Sequence, residues 1–254
     1  MAKTASGSRS VPPLAIRAQL RWDVVRPLIT AIAPQRTIEV GVGQGAMGAR
    51  IAAMSAQSYV AYEIDETSYR QAKARIEPVG GEVHQTTLAE GAPAPADLLC
   101  AFEVLEHIED DAAALAEWST FISPGGHILI SVPANPARFG PMDRHAGHFR
   151  RYSPSGLQAL AERAGFVDAQ PKLYGSPLGY GLEAVRNRID AKKLREADAL
   201  SAETLTAASG RTFQFDHHSW KSALATAGTF PFKYLQRVVP GGIGLVLSAR
   251  KPVR

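Results

Sequence analysis

The sequence predicts an α/β fold, in which a doubly wound, seven-stranded and mostly parallel sheet carries helices on both faces. From residue 37 onward, short apolar segments alternate with segments of helical periodicity, a pattern typical of parallel strands joined by crossover helices. The segments 97–102 and 127–132 are apolar nearly throughout, as expected for strands buried on both faces. Ligands of such sheets bind beyond the carboxyl ends of the strands, so we expect the site at that edge.

The predicted elements follow in chain order. An amphipathic helix over 14–33 comes first, because apolar residues recur there every four positions. The strands predicted after it are 37–41, 59–63, 82–86, 97–102, 126–132, 167–173 and one within 241–251. The helices predicted between them are 46–56, 66–76, 110–120 and 154–164. The last of these begins at Ser153-Pro154, where Ser is a favourable N-cap and Pro fits the first helical position.

Two segments depart from the alternating pattern. Residues 1–13 are rich in Ser, Gly and Pro and predict a disordered N-terminus, which leaves 14–254 as one domain. Residues 176–240 predict a long helix over 180–208, followed by a segment rich in aromatic residues and His. We interpret 176–240 as a helical insertion before the last strand that shapes an acceptor site or forms a homodimer contact.

Composition excludes several classes of protein. The net charge of +4 is too small to indicate nucleic-acid binding without a clustered patch. No apolar run approaches the ~20 residues of a membrane span and the start lacks a signal peptide, so a cytoplasmic location is expected. The lone cysteine, Cys100, excludes an intrachain disulfide and is expected in the core.

The stretch 37–46 predicts a buried strand that leads into three alternate glycines, Gly41, Gly43 and Gly45. Glycines let the backbone turn sharply and approach a ligand closely. Glu63 ends the next strand, where a carboxylate can accept hydrogen bonds from both hydroxyls of a ribose. By themselves these residues fit a nicotinamide dinucleotide, S-adenosylmethionine or a structural turn.

Four motifs, in order, resemble those of class I S-adenosylmethionine-dependent methyltransferases. They are Glu39-Val-Gly-Val-Gly-Gln-Gly, Tyr62-Glu-Ile-Asp, Phe102-Glu-Val-Leu-Glu-His and Pro124-Gly-Gly-His-Ile-Leu-Ile-Ser-Val-Pro. The resemblance covers about 34–175 and the closing strand, and it implies a Rossmann-like sheet with S-adenosylmethionine as cofactor. The run Gly147-His-Phe-Arg-Arg-Tyr-Ser resembles a bacterial branch associated with small-molecule or glycan modification.

The resemblance also implies which residues bind the cofactor: Glu39, Gly41, Gly43, Gly45, Glu63, Ile64, Thr87, Leu88, Phe102 and Glu103. The glycines would lie under the methionine part, and Glu39 beneath them would hold its amino group. Glu63 would bind the ribose, while Phe102 and Glu103 would line the methionine end. The adenine pocket departs from the family pattern, since Gln85-Thr-Thr-Leu stands where an Asp is frequent, so Thr87 or the backbone near Leu88 is expected there.

Transfer of a methyl group to a hydroxyl needs a base, and His is the natural type near neutral pH. His148, His145 and His107 are the candidate catalytic residues, because the first two follow the fifth strand and the third follows the fourth. The predicted substrate-binding residues are Asp143, Arg150, Arg151 and Tyr152. A metal site of Asp143, His145 and His148 is the less favoured alternative, and no metal is predicted. His217 and His218 are interpreted as part of a polar turn.

The resulting hypothesis is a methyltransferase that uses S-adenosylmethionine to methylate a small-molecule or glycan-like acceptor, on oxygen and with a His general base. Two alternatives remain open at this point. One is a nicotinamide-dependent oxidoreductase on the same sheet, and the other is a non-catalytic protein that binds the cofactor and partners another enzyme.

Overall fold

The computed structural model describes residues 13–197 and 230–253 of the 254-residue chain. Seven strands form one sheet: β1 (Arg36–Val40), β2 (Ser58–Tyr62), β3 (Glu82–His84), β4 (Ala96–Phe102), β5 (Ile122–Pro133), β6 (Val167–Gly175) and β7 (Gly242–Arg250). Their order across the sheet is β3-β2-β1-β4-β5-β7-β6, and β7 runs antiparallel to both of its neighbours. The other strand pairs are parallel. This confirms the predicted seven-stranded, mostly parallel sheet.

The described helices are α1 (Ile16–Ile32), α2 (Gly48–Ala52), α3 (Glu66–Ile76), α4 (Leu88–Gly91), α5 (Asp111–Thr120), α6 (Pro141–Ala146), α7 (Pro154–Arg163) and α8 (Leu178–Ala197). Residues 230–238 are also helical. No helix within 13–197 and 230–253 is both long enough and apolar enough to cross a membrane. The predicted helix over 180–208 is found as far as 197, and its remainder, like residues 1–12 and His217 and His218, lies outside the described residues.

Several predicted boundaries are wrong for identifiable reasons. The helix predicted over 46–56 is reduced to α2, because Gly45 has a φ of +78° and the turn continues through Met47. The short helices α4 and α6 were not predicted, since four and six residues are too few to show helical periodicity. By contrast, α3 has the predicted bounds, and the Ser153 side chain caps α7 by accepting the Gly156 N–H.

The sheet separates two buried apolar clusters, one on each face. One cluster joins the strands to α5 and α7 through Leu115, Trp118, Leu157 and Leu160. The other joins the strands to α1, α2 and α3 through Leu20, Ile29, Ile51, Ala72 and Ile76, and it contains Cys100, as expected for a core cysteine. Because both faces are covered, ligands can approach the strands at their ends. The shared direction of β1, β2 and β4 gathers the residues that follow these strands at one edge.

A glycine in β7 allows an aromatic ring to lie across that strand. Gly244 pairs with Tyr174 of β6, and a Cβ built on Gly244 would lie 2.2 Å from Cζ of the Tyr174 ring. The buried ring therefore occupies the space that any other residue at 244 would fill. In this position the Tyr174 hydroxyl is directed to the carboxyl edge, 3.4 Å from Glu103 Oε1.

We predict that Gly244→Ala lowers the free energy of unfolding by about 1–3 kcal/mol, because the methyl group overpacks against the Tyr174 ring. Urea unfolding measures the effect. Gly181→Ala in α8 is the control, since a Cβ there meets no atom within 4 Å and alanine favours helix. Equal unfolding midpoints for the two variants would contradict the prediction.

Candidate active site

The glycine loop after β1 has one open position between two closely packed ones. Gly41, Gly43 and Gly45 have φ angles of +64°, +56° and +78°. A Cβ on Gly41 would lie 2.6 Å from Val104 Cγ2, and a Cβ on Gly45 would lie 2.6 Å from Ala72 Cα. A Cβ on Gly43 would meet no described atom within 4 Å. The outer glycines are therefore required by packing, while Gly43 presents bare backbone to a ligand.

Glu63 fastens this loop to the end of β2. Its Oε2 accepts the Gly43 N–H at 2.7 Å, and its Oε1 accepts the Asp65 N–H at 3.0 Å. A carboxylate has about four acceptor positions, so these two bonds leave capacity for the hydroxyls of a ligand. Ile64, the next residue, has 71% of its surface exposed and offers an apolar surface beside the carboxylate.

Glu39 lies beneath the loop, where it is buried and accepts a hydrogen bond from the Tyr59 hydroxyl. Burial raises the pKa of Glu39 to about 7, although the Tyr59 hydrogen bond and the charge of Arg21 act in the opposite direction. Glu39 therefore has the predicted location, but its partner in the structure is a tyrosine that the motifs did not indicate.

The two residues expected at the adenine have different surroundings. The Thr87 hydroxyl caps α4 by accepting the Glu90 N–H, and the Glu90 carboxylate in turn accepts from Thr87. Leu88 is buried in the core cluster on the α5 side. The Thr87 side chain is thus engaged in a capping box, so a ligand at this position would meet backbone groups more readily than that hydroxyl.

The end of β4 carries an ionic cluster that includes two arginines of α1. Arg21 Nη1 lies 3.1 Å from Glu103 Oε1, and Arg17 Nη2 lies 3.6 Å from Glu103 Oε2. The Ser131 hydroxyl donates to Glu103 at 3.0 Å. Burial alone would raise the pKa of Glu103, but the charges of Arg21 and Arg17 hold it below its usual value. The Arg21 guanidinium also lies 5.7 Å from the centre of the Phe102 ring, so a face of this ring already carries a protein cation.

Arg17 and Arg21 were not among the predicted site residues. They lie four residues apart and therefore share one side of α1, next to the buried Leu20. The sequence did contain an indication of their role, because two arginines lie beside the apolar residues of the helix that precedes the first strand.

Asp143 and His148 form a hydrogen-bonded pair beyond β5. His148 Nδ1 lies 2.9 Å from Asp143 Oδ1, and the fully buried carboxylate also accepts the Gly140 N–H at 2.8 Å. Arg151 donates to both carboxylate oxygens, at 2.8 Å and 2.7 Å. Although burial acts to raise it, these donors lower the pKa of Asp143 to about 2. Because the anion holds the proton on Nδ1, His148 Nε2 is left as the basic nitrogen.

Helix α8 supports this pair from behind. Glu183 of α8 lies 3.3 Å from Arg151 Nη1 and 3.1 Å from Arg138 Nε. Asn187 Oδ1, one turn further, accepts the Met142 N–H at the start of α6. The described part of the predicted insertion is therefore anchored to the segment that holds His148.

His148 Nε2 faces the turn that follows β4. It lies 4.0 Å from Oε1 of Glu106, a fully buried residue, and the His107 ring packs edge-on against the His148 ring at 4.6 Å between centroids. Desolvation of its ring, with the charge of His148, lowers the pKa of His107 to about 4. Burial, with the nearby Glu103, raises the pKa of Glu106 well above its usual value. Glu106 was not among the predicted site residues.

The other predicted residues of this segment contact groups other than His148. His145 is buried with Nε2 4.0 Å from Asp190 Oδ1 of α8. Arg150 Nη1 pairs with Asp111 Oδ2 at 2.9 Å, and the Tyr152 hydroxyl donates to the same atom at 2.9 Å. Arg150 and Tyr152 thus fasten this segment to the start of α5.

Comparisons with known proteins find matches over most of this chain. A family model described as a methyltransferase domain matches residues 17–170. A probable S-adenosylmethionine-dependent methyltransferase of Mycobacterium tuberculosis is 32% identical over 178 residues, which are 65% of this chain and 62% of that protein. The match therefore spans less than two thirds of that relative's length.

Two further comparisons are more distant. A ubiquinone biosynthesis O-methyltransferase of Stutzerimonas stutzeri is 27% identical over 115 residues, 43% of this chain and 49% of that protein. The crystal structure of a SAM-dependent methyltransferase from Archaeoglobus fulgidus superposes with a TM-score of 0.56 at 12% identity, over 93% of this chain and 95% of that one. At this identity the second comparison supports the fold alone.

We predict that Asp143→Asn lowers the free energy of unfolding by about 3–5 kcal/mol, because it removes the bidentate one of the two buried anions that compensate Arg151. The folded pKa is lowered, so this stabilisation is complete above the unfolded pKa and is lost only as the pH falls toward about 2. Asp168→Asn is the control, since its pair with Arg250 is exposed and contributes less than about 1 kcal/mol. Urea unfolding at neutral pH compares them, and similar losses would refute the assigned role.

We predict that Glu39→Gln stabilises the protein in a pH-dependent manner. The folded pKa is raised to about 7, so the wild type loses stability as the pH rises from the unfolded value of 4.5 through that point. The variant avoids this loss and should be more stable by roughly 3 kcal/mol at about pH 8, with little difference at about pH 4. Urea unfolding at both pH values tests this, with the exposed Glu117→Gln as control. A pH-independent difference would contradict it.

Proposed function

We propose that this chain, which belongs to the class I S-adenosylmethionine-dependent methyltransferase family, transfers the methyl group of its cofactor to a hydroxyl oxygen of a small-molecule or glycan-like acceptor. The observation that carries the oxygen acceptor is the pair formed by Asp143 and His148, 2.9 Å apart, with His148 Nε2 directed to the turn after β4. The cofactor supplies a methyl group on a positively charged sulfur.

The residues at the carboxyl edge fit this cofactor. Gly43 has no described atom within 4 Å of its Cβ position, so the methionine part can lie on the loop backbone. Glu63 is fixed by two backbone donors and keeps acceptor positions for the ribose hydroxyls. Glu39 is close beneath the loop, where a carboxylate can stabilise a positively charged amino group. These are the roles that the sequence motifs imply.

Proton removal distinguishes a hydroxyl acceptor from an amine acceptor, which attacks as a neutral base. A hydroxyl within hydrogen-bond reach of His148 Nε2 would lose its proton to that nitrogen as the methyl group is transferred. Asp143 then stabilises the imidazolium, as an orienting carboxylate does in other acid–base pairs. The relatives that are ubiquinone biosynthesis O-methyltransferases support an oxygen acceptor.

The alternatives have less support. The glycine loop and Glu63 also fit the hypothesis of a nicotinamide-dependent oxidoreductase. The similar proteins reported above, however, are methyltransferases. The hypothesis of a non-catalytic protein gives no role to the hydrogen bond by which Asp143 orients His148. Cytoplasmic location, a homodimer and the absence of nucleic-acid binding stay predictions.

We predict that S-adenosylmethionine and its demethylated product bind in isothermal titration, and that Glu63→Gln weakens both by about tenfold or more, because an amide loses one of the two ribose acceptors. Glu66→Gln is the matched control, since this neighbouring glutamate is exposed. No binding of either compound to the wild type would exclude the cofactor assignment. Equal affinities in both variants would exclude the role of Glu63.

We predict that His148→Asn lowers methyl transfer by about 100-fold or more while affinity for the demethylated cofactor changes little, because the change removes the base and not the cofactor contacts. The assay follows radiolabelled methyl groups from S-adenosylmethionine into small-molecule and glycan fractions of a bacterial extract. His145→Asn and His107→Asn are compared with it. A larger loss for either than for His148→Asn would transfer the role of base to that residue.

A further inference from the structure

Three groups able to bind a metal converge where β4 ends, and the proposed function gives no role to two of them. Glu106, His107 and His148 each offer one ligand atom, and these atoms all lie within 4.8 Å of one another. Glu106 Oε1 and His148 Nε2 are 4.0 Å apart. Glu106 and His107 belong to the turn after β4, whereas His148 approaches from beyond β5, so tertiary structure and not local sequence brings them together.

The carboxylate of Glu106 lacks the partners that a buried anion requires. The residue is fully buried, and neither side-chain oxygen accepts a hydrogen bond from another residue in the described part of the chain. Glu103, three positions earlier, has Arg21 and Arg17 at 3.1 Å and 3.6 Å. A buried carboxylate without hydrogen-bond donors is strongly unfavourable, so Glu106 needs a proton or a directly bound cation.

Both histidines are oriented as metal-binding histidines usually are. Asp143 holds His148 Nδ1 at 2.9 Å, which leaves Nε2 directed at Glu106. The backbone of Gly147 interacts by a hydrogen bond with the His107 ring. A carboxylate or carbonyl on one ring nitrogen fixes the tautomer and presents the other nitrogen to the metal. In this cluster such outer partners are present for both rings.

We propose that Glu106, His107 and His148 bind a divalent transition-metal ion of the zinc class. Two imidazole nitrogens and one carboxylate oxygen match the ligand preference of Zn²⁺ and Co²⁺, whereas Mg²⁺ prefers an all-oxygen shell. Three protein ligands leave a fourth position for an outside oxygen atom, and His107, the exposed member of the three, lies on the solvent side.

Metal binding at this site would be a property of the protein beyond the proposed methyl transfer. A metal ion on His148 Nε2 takes the electron pair that would accept the proton of the acceptor, so metal binding and general-base action at that atom exclude each other. Loading of the site would therefore replace proton removal by His148. The binding itself requires neither cofactor nor methyl transfer, and its test is independent of both.

The experiment titrates tag-free, chelator-treated protein with CoCl2 and follows the visible absorption bands of the ion, with isothermal titration of ZnCl2 in parallel. We expect saturable binding of a single equivalent by the wild type. Glu106→Gln, His107→Gln and His148→Gln should each weaken it by about 100-fold or more, since outer-shell changes alone cost roughly 10–100-fold. His127→Gln, in β5 and outside the cluster, should bind as the wild type does.

Two controls accompany the titration. The double variant with His217→Gln and His218→Gln tests the histidines outside the described residues, and it should retain the bands. Circular dichroism establishes that Glu106→Gln is folded. Absence of a saturable signal in the wild type, or binding unaffected by all three cluster variants, overturns the metal site. Failure of S-adenosylmethionine to bind while cobalt still does would refute the proposed function alone.

Discussion

The buried carboxylate of Asp143 is the interaction on which the arrangement around His148 depends. It receives donors from the backbone of Gly140, from two nitrogens of Arg151 and from His148 Nδ1. An isolated carboxylate would be strongly destabilised at this depth, but four donors, two of them from one guanidinium fork, compensate it. The same contacts join the two ends of the segment between β5 and α7, because all four donors belong to this segment. Orientation of the histidine and stability of the segment are therefore consequences of one ion pair.

Arg151 extends this dependence to α8. Its guanidinium also faces Glu183, so two buried anions share one cation, and Arg138 adds a second cation at the outer side of Glu183. In a low-dielectric interior the removal of Arg151 would leave Asp143 without its guanidinium partner and Glu183 with Arg138 alone. For this reason α8, which belongs to the predicted insertion 176–240, contributes to the geometry of the site.

The sheet and the placement of residues at its carboxyl edge were largely predictable from sequence because they depend on local patterns. Apolar segments and helical periodicity identify strands and crossovers, and topology then places Gly41, Glu63 and Glu103 at one edge. Side-chain partners were not predictable in this way. Arg150 and Arg151 are adjacent in sequence, yet one pairs with Asp111 at the start of α5 and the other with Asp143 and Glu183. Which carboxylate each arginine meets is decided by the tertiary packing of α5, α6 and α8 and not by the neighbouring sequence.

Glu103 and Glu106 show why the contacts of individual side chains cannot be derived from a motif alone. Both belong to Phe102-Glu-Val-Leu-Glu-His, but Glu103, with a φ of +58°, turns to the arginines of α1, while Glu106 is carried inward beneath His148 by the following 3₁₀ turn. The charge of Glu103 is compensated by these arginines, which hold its pKa below its usual value. The pKa of Glu106 is raised by burial and by the charge of Glu103. Two carboxylates of one motif therefore have opposite surroundings: Glu103 is paired with arginines, while Glu106, whose oxygens accept no hydrogen bond from another described residue, lies 4.0 Å from His148 Nε2.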